Sequence, residues 1–148
     1  MEDSISVLVV DDSVGFRHMT RILLKHSTDI TVVGEAADGA EAIERVCELQ
    51  PQVILLDVMM PRVSGIEALP KIRALCPESK VIMLSASTHE HVISEAFKQG
   101  AWCYMVKGDC DVPQAIRAVA RGEMRQYLVG QVTAKYDLHD MEAAGGSI

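Results

Sequence analysis

The sequence has no basic excess, no long apolar run and no recognisable set of metal-binding cysteines. Its 14 lysines and arginines are outnumbered by 21 aspartates and glutamates, giving a formal net charge of −7. A nucleic-acid-binding surface normally carries surplus positive charge, so this balance argues against one on these residues. No apolar stretch approaches the roughly 20 residues that span a bilayer as a helix. Met1, Glu2 and Asp3 open the chain with the wrong charge for a secretory signal. The four cysteines, at 47, 76, 103 and 110, include no C-x-x-C pair and no histidine at metal-ligand spacing. Neither a zinc site nor a disulfide framework is expected. Cys47, Cys76 and Cys103 read instead as small buried hydrophobes in a reducing cytoplasm. Internal repeats and low-complexity tracts are absent as well. What remains is 148 residues, 49% hydrophobic and 24% charged: one domain with an ordinary core, expected to be cytoplasmic and to contact no membrane.

Short apolar runs bounded by turn signals recur along the chain, at Ser6 to Val10, Ile30 to Val33, Val53 to Leu56, Val81 to Leu84 and Trp102 to Val106. The first, third and fourth are continuous rather than alternating, as in a parallel sheet covered on both faces. Helical spacing fills the gaps. Met19, Ile22, Leu23 and His26 share one face of the first helix, and Ala42, Ile43, Val46 and Leu49 one face of the second. Ile66, Leu69, Ile72 and Arg73 mark the third, Val92, Ile93, Ala96 and Phe97 the fourth, and Ala115, Ile116 and Val119 the fifth. Asp38-Gly39 precedes the second helix, Asp111 is placed to cap the fifth, and Gly100 and Gly122 follow the fourth and fifth. Regular alternation of this kind implies a three-layer α/β/α sandwich with right-handed crossovers.

Two features sit badly with the pattern. Pro70 falls inside the third helix, where a kink or a late start is expected. After Gly122 the periodicity loosens: Met124, Tyr127, Leu128 and Val132 are spaced to prolong a helix, and the last residues have linker composition. The expected organisation is therefore one domain over 1–122 and a helical extension and linker over 123–148. Trp102 reads as a contact surface or a cover over the fifth helix.

In an open parallel sheet, ligands bind at the carboxyl ends of the strands, near the point where strand order reverses. Those ends carry Asp11 and Asp12, then Asp57, Ser85 and Lys107. Taken singly, each has an ordinary explanation: a helix cap, a turn, a solvated lysine. Together they bring three carboxylates to one rim. Two unit charges about 4 Å apart repel by about 4 kcal/mol at an effective dielectric near 20, so a cation or a raised proton affinity is required. Hard oxygen ligands with an incomplete protein shell suit Mg²⁺, or Mn²⁺, which keeps waters and takes a phosphate oxygen. A lysine and a hydroxyl opposite the metal are placed to hold the oxygens of a phosphoryl group in transfer. Asp57 is left as the nucleophile.

VLVVDDS, VILLDVMMPRVSG, VIMLSAS and GAWCYMVKG, at the first, third, fourth and fifth strands, resemble the receiver domain of bacterial two-component response regulators over roughly residues 5–122. VVGEAADGAEAI and AIRAVARGE further resemble the NarL/FixJ class, whose members usually carry a C-terminal helix-turn-helix DNA-binding domain. The resemblance implies a chemotaxis-regulator-like, flavodoxin-like fold with strand order 2-1-3-4-5. It makes Asp57 the phosphoacceptor for a partner histidine kinase. Asp12 would bind Mg²⁺ directly, Asp11 mainly through water, and the Met59 carbonyl would complete the protein ligands. Lys107 would pair with the phosphoryl group, Ser85 would swing to bond it, and Tyr104 would turn inward as the aromatic switch. Met59 and Ser87 fall at the positions that tune loss of the phosphoryl group, and neither orients an attacking water well, which implies a long-lived phosphorylated state. Serine at 85 where threonine is common, and Gly108 after the lysine where proline is common, are the departures.

The resemblance implies a phosphorylation switch that catalyses only its own phosphorylation and dephosphorylation. It would form a homodimer on phosphorylation and touch DNA only through an output domain beyond these residues; a stand-alone receiver acting by protein contact is the alternative. A haloacid-dehalogenase-type phosphatase would need D-x-D after the first strand, where Asp11 and Asp12 are adjacent. A flavodoxin-type cofactor binder would need a phosphate loop where DDSVG places two negative charges.

Overall fold

The computed structural model describes residues 4–108 and 110–129. Strands and helices alternate as β1 (Ile5–Val10), α1 (Val14–Lys25), β2 (Ile30–Ala36), α2 (Gly39–Leu49), β3 (Val53–Leu56), α3 (Gly65–Leu75), β4 (Lys80–Ser85), α4 (Glu90–Lys98), β5 (Cys103–Val106) and α5 (Val112–Ala120). A sixth strand, β6 (Tyr127–Val129), follows. All neighbours pair in parallel, in the order β2-β1-β3-β4-β5-β6. The expected order is present, with one strand added beyond β5.

The continuous apolar runs of β1, β3 and β4 are buried because helices cover both faces of the sheet. Leu8, Ile54 and Met83 face the core under α2, α3 and α4, where Val46, Leu69, Ile72, Ile93 and Ala96 pack. Val9, Leu55 and Ile82 face the opposite core with Leu24 of α1 and Ile116 and Val119 of α5. Caps set the helix starts. Ser13, Asp38, Ser64 and Asp111 each accept a backbone N–H from the first turn of α1, α2, α3 and α5.

Several expectations change. The Met19, Ile22 and Leu23 stripe of α1 is exposed, while Thr20 and Leu24 are the buried pair. Thr20 tolerates burial because its hydroxyl donates to the Phe16 carbonyl at 2.8 Å. β2 runs past Val33 to Ala36, because the register jumps from Val7↔Val32 to Leu8↔Gly34 and leaves Val33 as a bulge. α3 does not start late: a capping box between Ser64 and Glu67 opens it at Gly65, and it continues through an exposed Pro70. The hydrogen bond lost there is the one to the Ile66 carbonyl. Cys47 lies exposed on the outer side of α2, whereas Cys76 and Cys103 are buried. Burial pushes the Cys103 thiol up to about 12, with Cys110 adding to the rise.

The helical extension expected after Gly122 is not a helix as far as residue 129. Gly122, Met124 and Gln126 all have positive φ, at 84°, 60° and 57°, which breaks helical hydrogen bonding and turns the chain back to pair with β5. Trp102 anchors this return: its indole Nε1 donates to the Glu123 carbonyl at 2.7 Å. Lys80 and Arg125 stand over its ring at 5.2 and 5.3 Å. The remainder of the extension and linker, with Val132, lies outside the described residues. Among the described residues no helix is long and apolar enough to cross a membrane.

Candidate functional site

The backbone ladder continues one residue past the strands and fixes the rim. Asp11 N–H donates to the Ala36 carbonyl and Asp57 N–H to the Val10 carbonyl, each at 3.0 Å, and Lys107 N–H to the Ser85 carbonyl at 2.9 Å. The ligand oxygens of Asp11, Asp12 and Asp57 consequently lie within 4.8 Å of one another. Asp11 and Asp57 are buried, at 2% and 5% exposure; Asp12 is exposed.

Lys107 reaches across the rim to join them. Its Nζ donates to Asp11 Oδ2 at 2.6 Å and to Asp57 Oδ2 at 3.2 Å. Burial opposes the ammonium charge, but the Asp11 hydrogen bond and the Asp57 field outweigh it and hold Lys107 above its ordinary value. Burial also raises the proton affinity of Asp57; Lys107 pulls it back down, and Asp11 adds to the rise. Three carboxylates and one ammonium leave two negative charges uncompensated when all are ionised. An all-oxygen donor set, one member open to solvent, with two charges to neutralise fits a hard divalent cation.

The other expected residues are close by, with distinct surroundings. Ser85 is buried and its Oγ accepts the N–H of Ser87 at 3.2 Å. Tyr104 is fully buried, and its hydroxyl donates to the Ser87 carbonyl at 3.0 Å, so the ring is turned inward. Burial raises its proton affinity, which keeps it a donor. The Met59 side chain is 68% exposed, and its N–H lies 3.3 Å from Asp57 Oδ1. Ser87 Oγ accepts from the His89 N–H at 3.4 Å.

Three supporting residues were not anticipated. Phe16, in the first turn of α1, presents its ring 4.0 Å from Lys107 Nζ, so the ammonium sits between an aromatic face and two carboxylates. Arg17 Nη1 donates to the Asp11 carbonyl at 2.5 Å while Nε pairs with Glu35 at 3.2 Å. Gly65 lets α3 approach the loop after β3: its N–H donates to the Val58 carbonyl at 2.9 Å. A Cβ there would lie 2.0 Å from the Asp57 carbonyl oxygen. Only Gly65 left a local signal, a glycine where a helix former is preferred directly after the Ser64 cap.

A doubly wound parallel sheet with an acidic rim and one lysine bridging two of the carboxylates defines the class: an α/β domain with a carboxylate cluster suited to a hard cation at its strand ends. Comparison with known proteins carries this to a family. Residues 7–120 match the response regulator receiver domain model. The chain is 40% identical over 124 residues to the uncharacterized transcriptional regulatory protein YxjL of Bacillus subtilis (strain 168), covering 82% of this chain and 57% of that protein. It is 36% identical over 125 residues to the nitrate/nitrite response regulator protein NarL of Escherichia coli (strain K12), covering 83% and 58%. A crystal structure of a LuxR-family two-component response regulator from Aurantimonas sp. SI85-9A1 superposes with a TM-score of 0.82 at 26% identity, covering 93% of this chain and 98% of that one. The chain belongs to the response regulator receiver domain family, and is NarL-like within it. It spans less than three-fifths of the length of those two curated relatives.

Proposed function

We propose that this domain receives a signal as a phosphoryl group on Asp57, passed from a sensor histidine kinase with Mg²⁺ or Mn²⁺ bound at the rim. The observation that carries the reading is the Lys107 ammonium held between Asp11 and Asp57, with Asp12 beside them. In the transfer, an Asp57 carboxylate oxygen forms a bond to phosphorus as the phosphorus–nitrogen bond of the donor imidazole breaks. The departing nitrogen keeps the electron pair and takes a proton from solvent. The product is an acyl phosphate. Lys107 follows the charge from carboxylate to phosphoryl oxygen, and Ser85 exchanges its Ser87 partner for another phosphoryl oxygen. Asp12 and Asp11, directly and through water, together with Asp57 and the Met59 carbonyl, would hold the cation, which supplies charge neutralisation for the entering group.

Tyr104, bonded to the loop that carries Ser87, is the switch residue that passes this state to the α4–β5–α5 face. With Met59 and Ser87 offering no carboxylate or amide to direct water at the acyl phosphate, the phosphorylated state is long-lived. The domain catalyses only its own phosphorylation and dephosphorylation. By its kinship with NarL-like proteins it is the cytoplasmic regulatory half of a LuxR-type transcription regulator. Phosphorylation promotes homodimerisation, and DNA is contacted only through an output domain outside residues 1–148.

The test is intact mass after incubation with acetyl phosphate. A single phosphoryl adduct that requires Mg²⁺ and is absent from Asp57→Asn supports the reading. An adduct that persists in Asp57→Asn, or none in any form of the protein under donor and metal excess, contradicts it.

A further inference from the structure

β2 is an edge strand, and the bulge at Val33 decides what its last residues face. Register partners in neighbouring strands send their side chains to the same side of a sheet. The pairings Val9↔Glu35 and Val10↔Ala36 therefore put Glu35 on the α1 side with Val9, and Ala36 in the core under α2 with Val10. Without the extra residue, Val10 would pair with Glu35, and the carboxylate would turn into that apolar core. The bulge re-aims it toward α1, a use that bulges serve beside functional sites.

On the α1 side Glu35 meets two arginines. Its Oε1 accepts from Arg17 Nε at 3.2 Å and its Oε2 from Arg21 Nη1 at 2.7 Å. Held this way, Arg17 extends Nη1 to the Asp11 carbonyl, while the Ala36 carbonyl takes the Asp11 N–H. A peptide unit is planar, so fixing the Asp11 carbonyl fixes the Asp11–Asp12 peptide and the point from which the Asp12 side chain starts. Asp12 depends on that anchoring, because its own side chain has no hydrogen bond or ion pair to any described residue. Two residues past Ala36 the same segment grips the loop after β3. The buried Asp38 pairs with Arg62, and the Gly39 N–H donates to the Val63 carbonyl at 3.0 Å. A Cβ at Gly39 would come within 2.6 Å of that carbonyl oxygen. Arg62 is kept at a φ of 66°, a left-handed conformation that persists in a non-glycine residue only when its surroundings impose it.

We propose that Glu35 and Asp38, at the end of β2, are positioning residues of the cation site, acting through Arg17 on the Asp11–Asp12 turn and through Arg62 on the loop that carries Met59. This rests on the cation reading given above. Neither is a ligand: Glu35 is turned to Arg17 and Arg21, and Asp38 to Arg62 and the Glu41 N–H. Charge and position make opposite demands here. An arginine that acted only by its charge would repel the cation, so its removal would tighten binding. An arginine that holds the ligands in place weakens binding when it is removed.

The experiment is calorimetric titration of the full chain with Mg²⁺, and then Mn²⁺, without a phosphodonor. Urea unfolding in chelator checks that each variant is folded. Arg17→Met is expected to weaken Mg²⁺ binding about ten-fold. Glu35→Gln weakens it too, and the double variant binds no more weakly than Arg17→Met alone, because both act along one path. Arg62→Asn tests the second arm with little risk to folding, since the arginine side chain is 77% exposed and asparagine tolerates a positive φ. It weakens binding by a smaller factor. Arg21→Met, which touches Glu35 but neither ligand-bearing loop, is the charge control and does not weaken binding. Unchanged or tighter Mg²⁺ binding in Arg17→Met overturns the role of Glu35, and in Arg62→Asn that of Asp38. If the unmutated chain binds neither metal, the cation reading itself fails and this inference falls with it.

Discussion

The two ends of the sheet put their polar side chains to opposite uses. At the amino end Ser6, Gln52, Arg73 and Ser79 are spent on the chain itself. The buried Ser79 hydroxyl donates to the Pro51 carbonyl. Arg73 Nη1 donates to the Pro77 and Ser79 carbonyls at 3.0 and 2.7 Å. Gln52 and Ser6 exchange hydrogen bonds at 3.0 and 2.9 Å. These groups satisfy main-chain atoms where loops close the bottom of the sheet. At the carboxyl end Asp11, Asp12, Asp57 and Lys107 face one another, and the charge they leave over is available to a ligand. The difference teaches where chemistry sits in this fold. Asp11 and Asp57 each give one oxygen to a backbone N–H and keep the other for Lys107, so the side-chain atoms left over from backbone duty are the ones to suspect.

The sharpest way to break the comparison is at the contact that holds the carboxyl end together. Gly65→Ala drives a methyl group into the Asp57 carbonyl oxygen, a backbone atom that cannot turn aside as a flexible side chain would. Urea unfolding should show a loss of about 3 kcal/mol, and phosphoryl uptake should fall with it. Ser79→Ala, at the other end, strands a buried carbonyl. Its expected cost is about 1–3 kcal/mol in the same assay, with phosphoryl uptake per folded molecule unchanged. Phe16→Leu keeps the apolar volume but removes the aromatic face over Lys107. A change of about 1 kcal/mol would appear as a several-fold slower acetyl phosphate reaction, restored by Phe16→Tyr.

A fourth expectation concerns sign rather than size. Burial holds the Asp57 proton more tightly in the folded than in the unfolded chain, so its ionisation destabilises the fold as pH rises above the ordinary value of 3.8. In chelator, Asp57→Asn should therefore be more stable than the parent at neutral pH, with the advantage vanishing below pH 3.8. Asp29 and Asp38 behave oppositely. Hydrogen bonds from Arg117 and from the Glu41 N–H, respectively, lower their values. Their stabilisation is present above the ordinary range and lost as pH falls through it. Melting curves across acid pH separate the two behaviours.

Much of this was legible in the chain. Continuous apolar runs identified β1, β3 and β4, and every rim residue followed from reading what stands after a strand. The misses have physical causes. α1 carries two stripes, and periodicity alone cannot say that Phe16, Thr20 and Leu24 turn to the sheet while Met19, Ile22 and Leu23 face water. β6 is too short to show a period; its place depends on Trp102 and the free edge of β5, both distant in sequence. Phe16 and Arg17 join the site only because α1 begins beside Asp11 and across from Lys107.

The most direct test of the central claim is to locate the acyl phosphate. After phosphorylation in Mg²⁺, borohydride reduction converts a phosphorylated aspartate to homoserine, which peptide mass mapping assigns to a position. Homoserine at 57, with Asp11, Asp12 and the amino-end residues untouched, is the expected result. Homoserine at 11 or 12, or a phosphoryl group resisting reduction on a serine, would contradict the account.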